Sequence, residues 1–389
     1  LQAGKLKQKT TRTLDGVFGV SIPGFINADM KIFPTNVSNS KDFHRSDTNT
    51  YMRVRKIQKL PASCHLEPSE QSNVLSVFKA TFAQHYAFLE EKNVRWQKSI
   101  EASHSSDVEL FDSLVDLVKP LKDPHVAIVA PSIDGFYFGN EETANHSTPI
   151  PERELVDRVR DIAPDTIITS YCNEQLKFAP LGENLAYLHI NSFSGYSKAG
   201  DFDSELQELN SAITSIFNNY EFSSLILDVR NNQGGSDKLA LHLASIFTSN
   251  VYSAYAKQAV MDATERTWTQ LRGSTVVPQT STSFNGKILM LTNRQTVSAG
   301  ETFIMAMMER HPEVVRIGDR TKGSFSDMLP RTLPNGWLFA LPNERYVNKA
   351  GSSYDLVGIP PHIKAQDSTL KDVALETAVA HFFKGKATN

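Results

Sequence analysis

A chain of 389 residues is long enough for a large core and for roughly two or three structural units. Its composition, 40% hydrophobic and 21% charged, is that of a folded globular protein and excludes disordered and fibrous proteins. The net charge of −3 provides no general attraction to nucleic acid or anionic lipid. No apolar run approaches the ~20 residues that span a bilayer, so we expect neither a nucleic-acid partner nor a membrane span.

The cysteines and the first residue bear on cofactors and location. Cys64 and Cys172 cannot form a disulfide framework or a metal site by themselves, so we predict no metal and no other cofactor and leave their pairing open. The chain begins at Leu1, which fits removal of a signal peptide as well as a trimmed chain. On this basis we predict an extracytoplasmic location, either periplasmic or secreted. The sequence contains no signal for an oligomeric state.

The amino-terminal part of the chain has the pattern of a small β unit followed by helices. Residues 1–66 are predicted to form this β unit, because apolar and polar residues alternate around glycines and prolines over residues 13–63, as is typical of short antiparallel strands. Residues 67–130 change to helical spacing, and a second helix begins after Ser106, which can form a capping box with Glu109. A proline then ends that helix and leaves His125 in a turn before an apolar strand.

The carboxyl-terminal part, residues 184–389, alternates apolar strands with amphipathic helices, which predicts parallel βα units. The strands are expected at 185–190, 224–229, 287–292 and 314–318, and the helices at 203–218, 236–248, 298–310 and 370–383. Asn335-Gly336 predicts a hairpin turn between the last two helices. Residues 131–183 mix turns with one helix near 151–162 and are predicted to connect the two parts. The fold class is therefore α/β for the carboxyl-terminal domain.

Two strand-to-helix junctions of this domain carry candidate chemistry, because side chains and free backbone N–H groups meet there. At the first junction Gly234 and Gly235 precede a helix, and glycine lets the backbone turn an amide towards developing negative charge. At the second, Ser298 opens a helix and can act as a nucleophile. Both junctions also have a structural interpretation. The glycines suit a tight turn, and Ser298 with Glu301 makes a capping box.

A serine nucleophile needs a base, and eleven histidines leave that base undecided. Six sequence blocks, however, resemble in order the catalytic domain of the serine peptidase family that contains the carboxyl-terminal processing peptidases and the tricorn core. The blocks are LAYLHINSFS (185–194), DVRNNQGG (228–235), TVSAGE (296–301), GDRTKGSFSD (318–327), LPNGW (333–337) and VGIPP (357–361). Residues 74–130, including LKDPH (121–125), also resemble the helical segment that precedes this domain in the tricorn-like branch.

The resemblance implies a ClpP/crotonase-like βα superhelical fold and hydrolysis of peptide bonds in a peptide or protein substrate through an acyl-enzyme. In the tricorn-like branch a histidine and an acidic residue serve the nucleophile, which implies Ser298 as nucleophile, His125 as general base and Asp355 as the orienting acid. It also implies an oxyanion hole from the Gly235 and Ala299 amides, with Gly234 as their neighbour. Typical processing peptidases carry a PDZ module, but residues 131–183 are too few to form one, so we expect no PDZ module in this chain.

Several alternatives stay open. Typical processing peptidases use a lysine as base, and Lys322 is the candidate, although it is out of register with that pattern. His362 stands where the family usually has aspartate and is a second candidate base. The same fold also binds apolar ligands without catalysis, as in the interphotoreceptor retinoid-binding proteins, and acyl-transfer machinery can act on esters or modified amides.

Overall fold

The computed structural model describes residues 17–22, 26–35, 37–48, 50–59, 71–94, 104–139, 151–263, 265–279, 283–368 and 371–384. Cys172 is buried. Cys64 lies outside the described residues, so the structure does not test whether the two cysteines pair. No helix within the described ranges is both long and apolar enough to cross a membrane.

Four strands near the amino terminus form an antiparallel sheet in chain order. They are β1 (Val17–Ile22), β2 (Ile26–Pro34), β3 (Ser40–Arg45) and β4 (Tyr51–Arg55). The turn between β3 and β4 contacts the rest of the protein, because the Lys238 N–H and the Ser236 hydroxyl both donate hydrogen bonds to the Asp47 carbonyl oxygen. This small sheet is therefore anchored beside the glycine junction.

Two helices pack on a second antiparallel sheet, which joins distant parts of the chain. The helices are α1 (Gln71–His85) and α2 (Asp107–Val118), and the strands are β5 (Ala127–Ala130), β6 (Gly135–Phe138), β16 (Met328–Thr332) and β17 (Leu338–Pro342), in the order β16-β17-β5-β6. Phe78 and Phe82 of α1 are buried against Phe339 of β17. Because β5 pairs with β17, the turn that carries His125 lies against the carboxyl-terminal half of the chain.

A seven-stranded sheet forms the centre of the fold, in the order β19-β15-β14-β10-β9-β8-β7. Its strands are β7 (Thr169–Tyr171), β8 (Leu176–Pro180), β9 (Asn184–Ile190), β10 (Phe222–Asp228), β14 (Lys287–Thr292), β15 (Val315–Gly318) and β19 (Ile363–Lys364). The five strands from β9 onwards are parallel, whereas β7 and β8 are antiparallel. The predicted connection at 131–183 thus contributes two strands to the central sheet.

Helices cover both faces of this sheet, as expected for parallel strands buried on two sides. The helices are α3 (Glu152–Asp157), α4 (Val159–Ile162), α5 (Phe202–Asn219), α6 (Asp237–Ile246), α7 (Ala299–Met308) and α8 (Val373–Lys384). Residues of α5, α6 and α7 form the core on one face, and residues of α4 and α8 form it on the other. The predicted α/β fold is confirmed, with element ends that differ by a few residues.

A third antiparallel sheet lies between α6 and β14, where the sequence pattern predicted no element. It contains β11 (Tyr252–Asp262), β12 (Thr267–Trp268) and β13 (Arg272–Val276), and β18 (Glu344–Val347) also pairs with β11. The pairing of β11 with β18 joins residues that are far apart in the chain, so local periodicity carries no sign of it.

Candidate active site

Ser298 lies in the turn between β14 and α7, at the carboxyl edge of the parallel strands. Its backbone has φ 57° and ψ −122°, a conformation that costs a non-glycine residue ~1–3 kcal/mol. The turn is held by hydrogen bonds: the Ser298 N–H donates to the Ser324 carbonyl oxygen (2.9 Å), and the Ser298 carbonyl oxygen accepts from the Glu301 and Thr302 N–H groups. Such a strained strand-to-helix turn presents a serine hydroxyl for attack.

The paired glycines lie directly against this serine. A Cβ added to Gly234 would be 2.6 Å from the Ser298 Cβ, so only glycine permits this approach of the two backbones. The Gly234 N–H is occupied, since it donates to Oδ1 of Asn232 (2.9 Å). The N–H groups of Gly235 and Ala299 donate no hydrogen bond within the described part of the chain. Two backbone donors beside the hydroxyl therefore remain for an oxyanion, and Gly234 supplies space rather than a donor.

Ser298, Gly235 and His125 line one cleft with a volume of about 660 Å³. The turn after β3, residues Arg45–Thr48, forms another part of its wall. The amino-terminal sheet thus contributes to the cleft, a contact that sequence reasoning missed and for which the chain has no local signal.

His125 is 9% exposed, and the Asp123 side chain shapes the turn that carries it. Oδ1 of Asp123 accepts from the His125 N–H (3.0 Å), and Oδ2 accepts from the Tyr86 hydroxyl (2.7 Å). Burial lowers the pKa of His125, whereas the nearby Asp123 and Asp327 carboxylates act to raise it. The neutral imidazole is the form that can accept a proton. Sequence analysis overlooked Asp123, although an aspartate two residues before a turn position is a known signal for this geometry.

Asp355 is also buried, and its segment packs on the loop that holds the Ser298 turn. The N–H of the residue after Asp355 donates to the Gly323 carbonyl oxygen (2.7 Å). Oδ2 of Asp355 accepts from the Tyr346 N–H (3.0 Å) and the Ser353 hydroxyl (2.7 Å). Burial raises the pKa of Asp355 to about 7.

The predicted base and acid each have one unsatisfied buried atom. Nδ1 of His125 and Oδ1 of Asp355 find no hydrogen-bond partner among the described residues. No hydrogen bond joins the His125 ring to Ser298 or to Asp355 in the same part of the structure. The two atoms are chemically complementary, since one ring nitrogen can donate and the carboxylate oxygen can accept.

The two alternative bases lie elsewhere. Lys322 belongs to the loop beside the Ser298 turn, where its N–H donates to the Thr296 carbonyl oxygen (3.0 Å), but it does not line the cleft. Nδ1 of His362 accepts from the Arg316 N–H (3.2 Å) on β15, and His362 does not line the cleft either.

A buried ionic cluster lies under one wall of the cleft. Lys257 donates hydrogen bonds to Asp327 (3.1 Å), Glu344 (3.0 Å) and Thr50 (2.8 Å). Although burial opposes ionisation, Lys257 lowers the pKa of Asp327 to about 2. Asp327 lines the cleft, so its fixed negative charge favours a protonated His125. The members of this cluster are distant in sequence, and no pattern predicted them. Within the described ranges, no group of three or more His, Cys, Asp or Glu is arranged to hold a metal ion.

Comparisons with known proteins identify a family match and similar folds. Residues 184–365 match the model of Peptidase family S41, whereas no curated protein matches the chain. A crystal structure of a candidate peptidase from Parabacteroides merdae is similar, with a TM-score of 0.66 and 21% identity over 80% of this chain and 96% of that chain.

Two further solved structures share the fold. Mature CPAF in complex with lactacystin has a TM-score of 0.54 and 12% identity, over 81% of this chain and 98% of that chain. A lipoprotein from Streptococcus agalactiae has a TM-score of 0.51 and 17% identity, over 84% and 98% of the two chains.

Proposed function

We propose that the chain is a serine peptidase that cleaves peptide or protein substrates through an acyl-enzyme on Ser298, since residues 184–365 match the model of Peptidase family S41. One observation carries the assignment of Ser298. Its hydroxyl is presented by a strained turn beside two backbone N–H groups that have no other acceptor in the described chain. A hydroxyl next to unused amides is the arrangement that acyl transfer requires.

In the proposed reaction, His125 removes the Ser298 proton as Oγ bonds to the carbonyl carbon of the substrate. The carbonyl electron pair moves to oxygen, and the Gly235 and Ala299 N–H groups stabilise that oxyanion. His125 then gives its proton to the leaving amine, and the peptide bond breaks. A water molecule, deprotonated by His125, hydrolyses the acyl-enzyme and restores the serine.

Asp355 is the proposed orienting acid for His125. A hydrogen bond from Nδ1 of His125 to Oδ1 of Asp355 would satisfy both unpartnered buried atoms. The contact would also raise the pKa of the imidazole and lower that of the carboxyl, since each charged form stabilises the other. We propose that this contact forms when substrate occupies the cleft, because catalytic hydrogen bonds often tighten only in that complex.

The composition of the cleft disfavours two of the alternatives, an apolar-ligand binder and a serine–lysine pair. Its lining includes the charged side chains of Arg45, Asp47, Asp201, Glu205 and Asp327. Pockets for apolar ligands are lined mainly by apolar side chains, so this cleft does not suit a retinoid-like ligand. Lys322 lies outside the cleft lining, which disfavours a serine–lysine pair.

Labelling with a serine-reactive fluorophosphonate, followed by peptide mapping, tests the assignment. We expect the label on Ser298 and no label in Ser298→Ala. Ser106→Ala is a matched control, because Ser106 also stands at a helix N-terminus three residues before a glutamate. Labelling that persists in Ser298→Ala, or that maps to another serine, would contradict the proposal.

The extracytoplasmic location also remains a proposal. Fractionation of cells that express the complete gene product would test it, with recovery in the cytoplasmic fraction as the contrary result.

A further inference from the structure

A buried hydrogen bond joins the two helices that follow the proposed oxyanion donors. Gly235 lies just before α6, and Ala299 is the first residue of α7. The Thr302 hydroxyl on α7 donates to Oδ1 of Asp237, the first residue of α6, at 2.7 Å. Asp237 and Thr302 are both buried, with exposures of 3% and 0%. This contact therefore fastens α6 to α7 close to the N-terminus of each helix.

Thr302 also contacts the Ser298 turn directly. Its N–H donates to the Ser298 carbonyl oxygen at 3.0 Å. Its hydroxyl oxygen lies 3.2 Å from the Ala299 carbonyl oxygen. A shift of Thr302 would thus move the peptide units on both sides of the Ala299 N–H.

The carboxyl group of Asp237 leads on to the proposed orienting acid. Its second oxygen, Oδ2, accepts from the Tyr346 hydroxyl on β18 (3.2 Å). The Tyr346 N–H in turn donates to Oδ2 of Asp355 (3.0 Å). Tyr346 is 1% exposed, so these contacts are also inside the protein. One buried carboxyl group therefore connects α6 with α7 and with the strand that contacts Asp355.

A carboxyl group at this depth is costly unless its oxygens accept hydrogen bonds. Burial raises the pKa of Asp237 to about 7, and Asp327 acts in the same direction, whereas Lys257 opposes both. An apolar side chain of similar volume often stabilises a protein at least as well as a buried charged group. The hydrogen bonds of Asp237 are therefore better explained by the geometry that they fix than by stability.

We propose that Asp237 and Thr302 are positioning residues, which hold the Gly235 and Ala299 N–H groups at the separation that one oxyanion requires. This inference rests on the proposed peptidase function. Neither side chain is among the described residues that line the cleft, so both act through the helices. Both donors must lie ~2.7–3.1 Å from the same oxygen, and a displacement of ~1 Å can lower the rate about 100-fold.

The experiment replaces the Thr302 hydroxyl with a methyl group of similar size, in Thr302→Val. The rate of Ser298 labelling by a fluorophosphonate and the kcat for a peptide that the protein cleaves should each fall about 10- to 100-fold. KM should stay unchanged, because the oxyanion exists in the transition state and not in the bound substrate. Thr302→Ser keeps the hydroxyl and should restore both rates to within about threefold. Thr302→Ala removes the same hydroxyl and replaces Thr302→Val if that variant does not fold.

Thr248→Val is the matched control, because Thr248 is also 0% exposed and lies just beyond the opposite end of α6. Its hydroxyl oxygen accepts from the Asn250 N–H (3.0 Å) and donates to the Asn250 carbonyl oxygen (3.2 Å). Thr248→Val should lower Tm and leave the labelling rate and kcat unchanged.

Three results would overturn the positioning role while the assignment of Ser298 stands. The first is an unchanged labelling rate and kcat in folded Thr302→Val. The second is a rise in KM without a loss of kcat. The third is an equal loss of kcat in Thr302→Val and Thr248→Val, which would show general destabilisation. Labelling of the unmodified protein at a serine other than Ser298 would instead refute the proposed function, and this inference with it.

Discussion

The N-termini of α2 and α7 carry the same sequence pattern, a serine followed three residues later by a glutamate, but the two serines differ in structure. Ser106 at α2 has an extended backbone (φ −151°, ψ 162°), and its hydroxyl accepts from the Glu109 N–H at 3.3 Å. Ser298 at α7 has φ 57° and ψ −122°. Although Ser298 and Glu301 face each other as in a capping box, the Glu301 N–H donates to the Ser298 carbonyl oxygen at 2.8 Å. Ser106 caps its helix through its hydroxyl, whereas Ser298 contacts Glu301 through its N–H, which donates to Oε2 of Glu301 (3.3 Å), and it also lines the cleft.

The two glutamates, Glu109 and Glu301, also differ in burial and in hydrogen-bond partners. Glu109 is exposed and accepts from the Ser105 N–H (2.7 Å). Glu301 is fully buried, and its carboxylate accepts from the Thr321 hydroxyl (2.6 Å) and the Ser324 N–H (2.8 Å). Glu301 therefore joins the loop beside Ser298 to the helix. The comparison teaches that the neighbours of a helix N-terminus, and not its motif, decide whether its serine lies in an extended cap or in a strained turn beside a cleft.

Replacing the two serines should separate these roles most strongly. Ser298→Ala should lower kcat by about 10⁴ to 10⁶, because it removes the nucleophile. Ser106→Ala should leave kcat unchanged and cost about 1 kcal/mol of unfolding free energy, the usual effect of a lost cap. Peptide hydrolysis and urea denaturation measure the two effects. Similar losses of kcat in both variants would show that the comparison is wrong.

Asp355→Asn should lower kcat by about 10³ to 10⁴, because an amide cannot fix the His125 tautomer that accepts the serine proton. The amide oxygen can still accept from the Tyr346 N–H, so the fold should persist. Steady-state kinetics measure the loss of kcat, and Tm shows whether the fold persists. A loss of kcat below threefold with an intact Tm would exclude Asp355 as the orienting acid.

Gly234→Ala should lower kcat by about 100-fold, since the new Cβ would lie 2.6 Å from that of Ser298 and must displace the nucleophile. Gly336→Ala is the matched control. Gly336 has a similar φ of +88°, compared with +82° at Gly234, but nothing lies within 4 Å of its added Cβ. Both variants should lose stability from backbone strain, and only Gly234→Ala should lose activity. Equal kcat values would contradict the close approach.

The pH dependence should show the smallest effect. Burial raises the pKa of Asp355 to about 7, so its orienting carboxylate is present above that pH. Since burial also lowers the pKa of His125, the base is already neutral there. We expect kcat/KM to rise about tenfold per pH unit below this value and to level off above it. A kcat/KM value that falls as the pH rises towards 7 would contradict this prediction.

The sequence predicted the parts of the fold that depend on local patterns. The alternation of strands and helices identified β9, β10, β14 and β15. The chemical role of the junction at Ser298 stays a prediction. The antiparallel sheet around β11 and the pairing of β7 with β8 depend on turns and long-range pairing, and no element was predicted in either segment.

Within the candidate site, local signals were unevenly informative. Asp123 had a local signal, because its side chain accepts a hydrogen bond from the N–H two residues later. No local signal pointed to the ionic cluster of Asp327, Lys257 and Thr50, since its contacts join segments far apart in the chain. The capping box at Ser298 was ambiguous, because its strained φ comes from hydrogen bonds to a loop that lies downstream.

The most direct test of the central claim, that His125 rather than Lys322 activates Ser298, compares fluorophosphonate labelling rates of His125→Ala and Lys322→Ala. We predict that His125→Ala labels at least about 10³-fold more slowly than the unmodified protein, because it loses the base. Lys322→Ala should label at an unchanged rate. Normal labelling of His125→Ala, with labelling abolished in Lys322→Ala, would contradict the account.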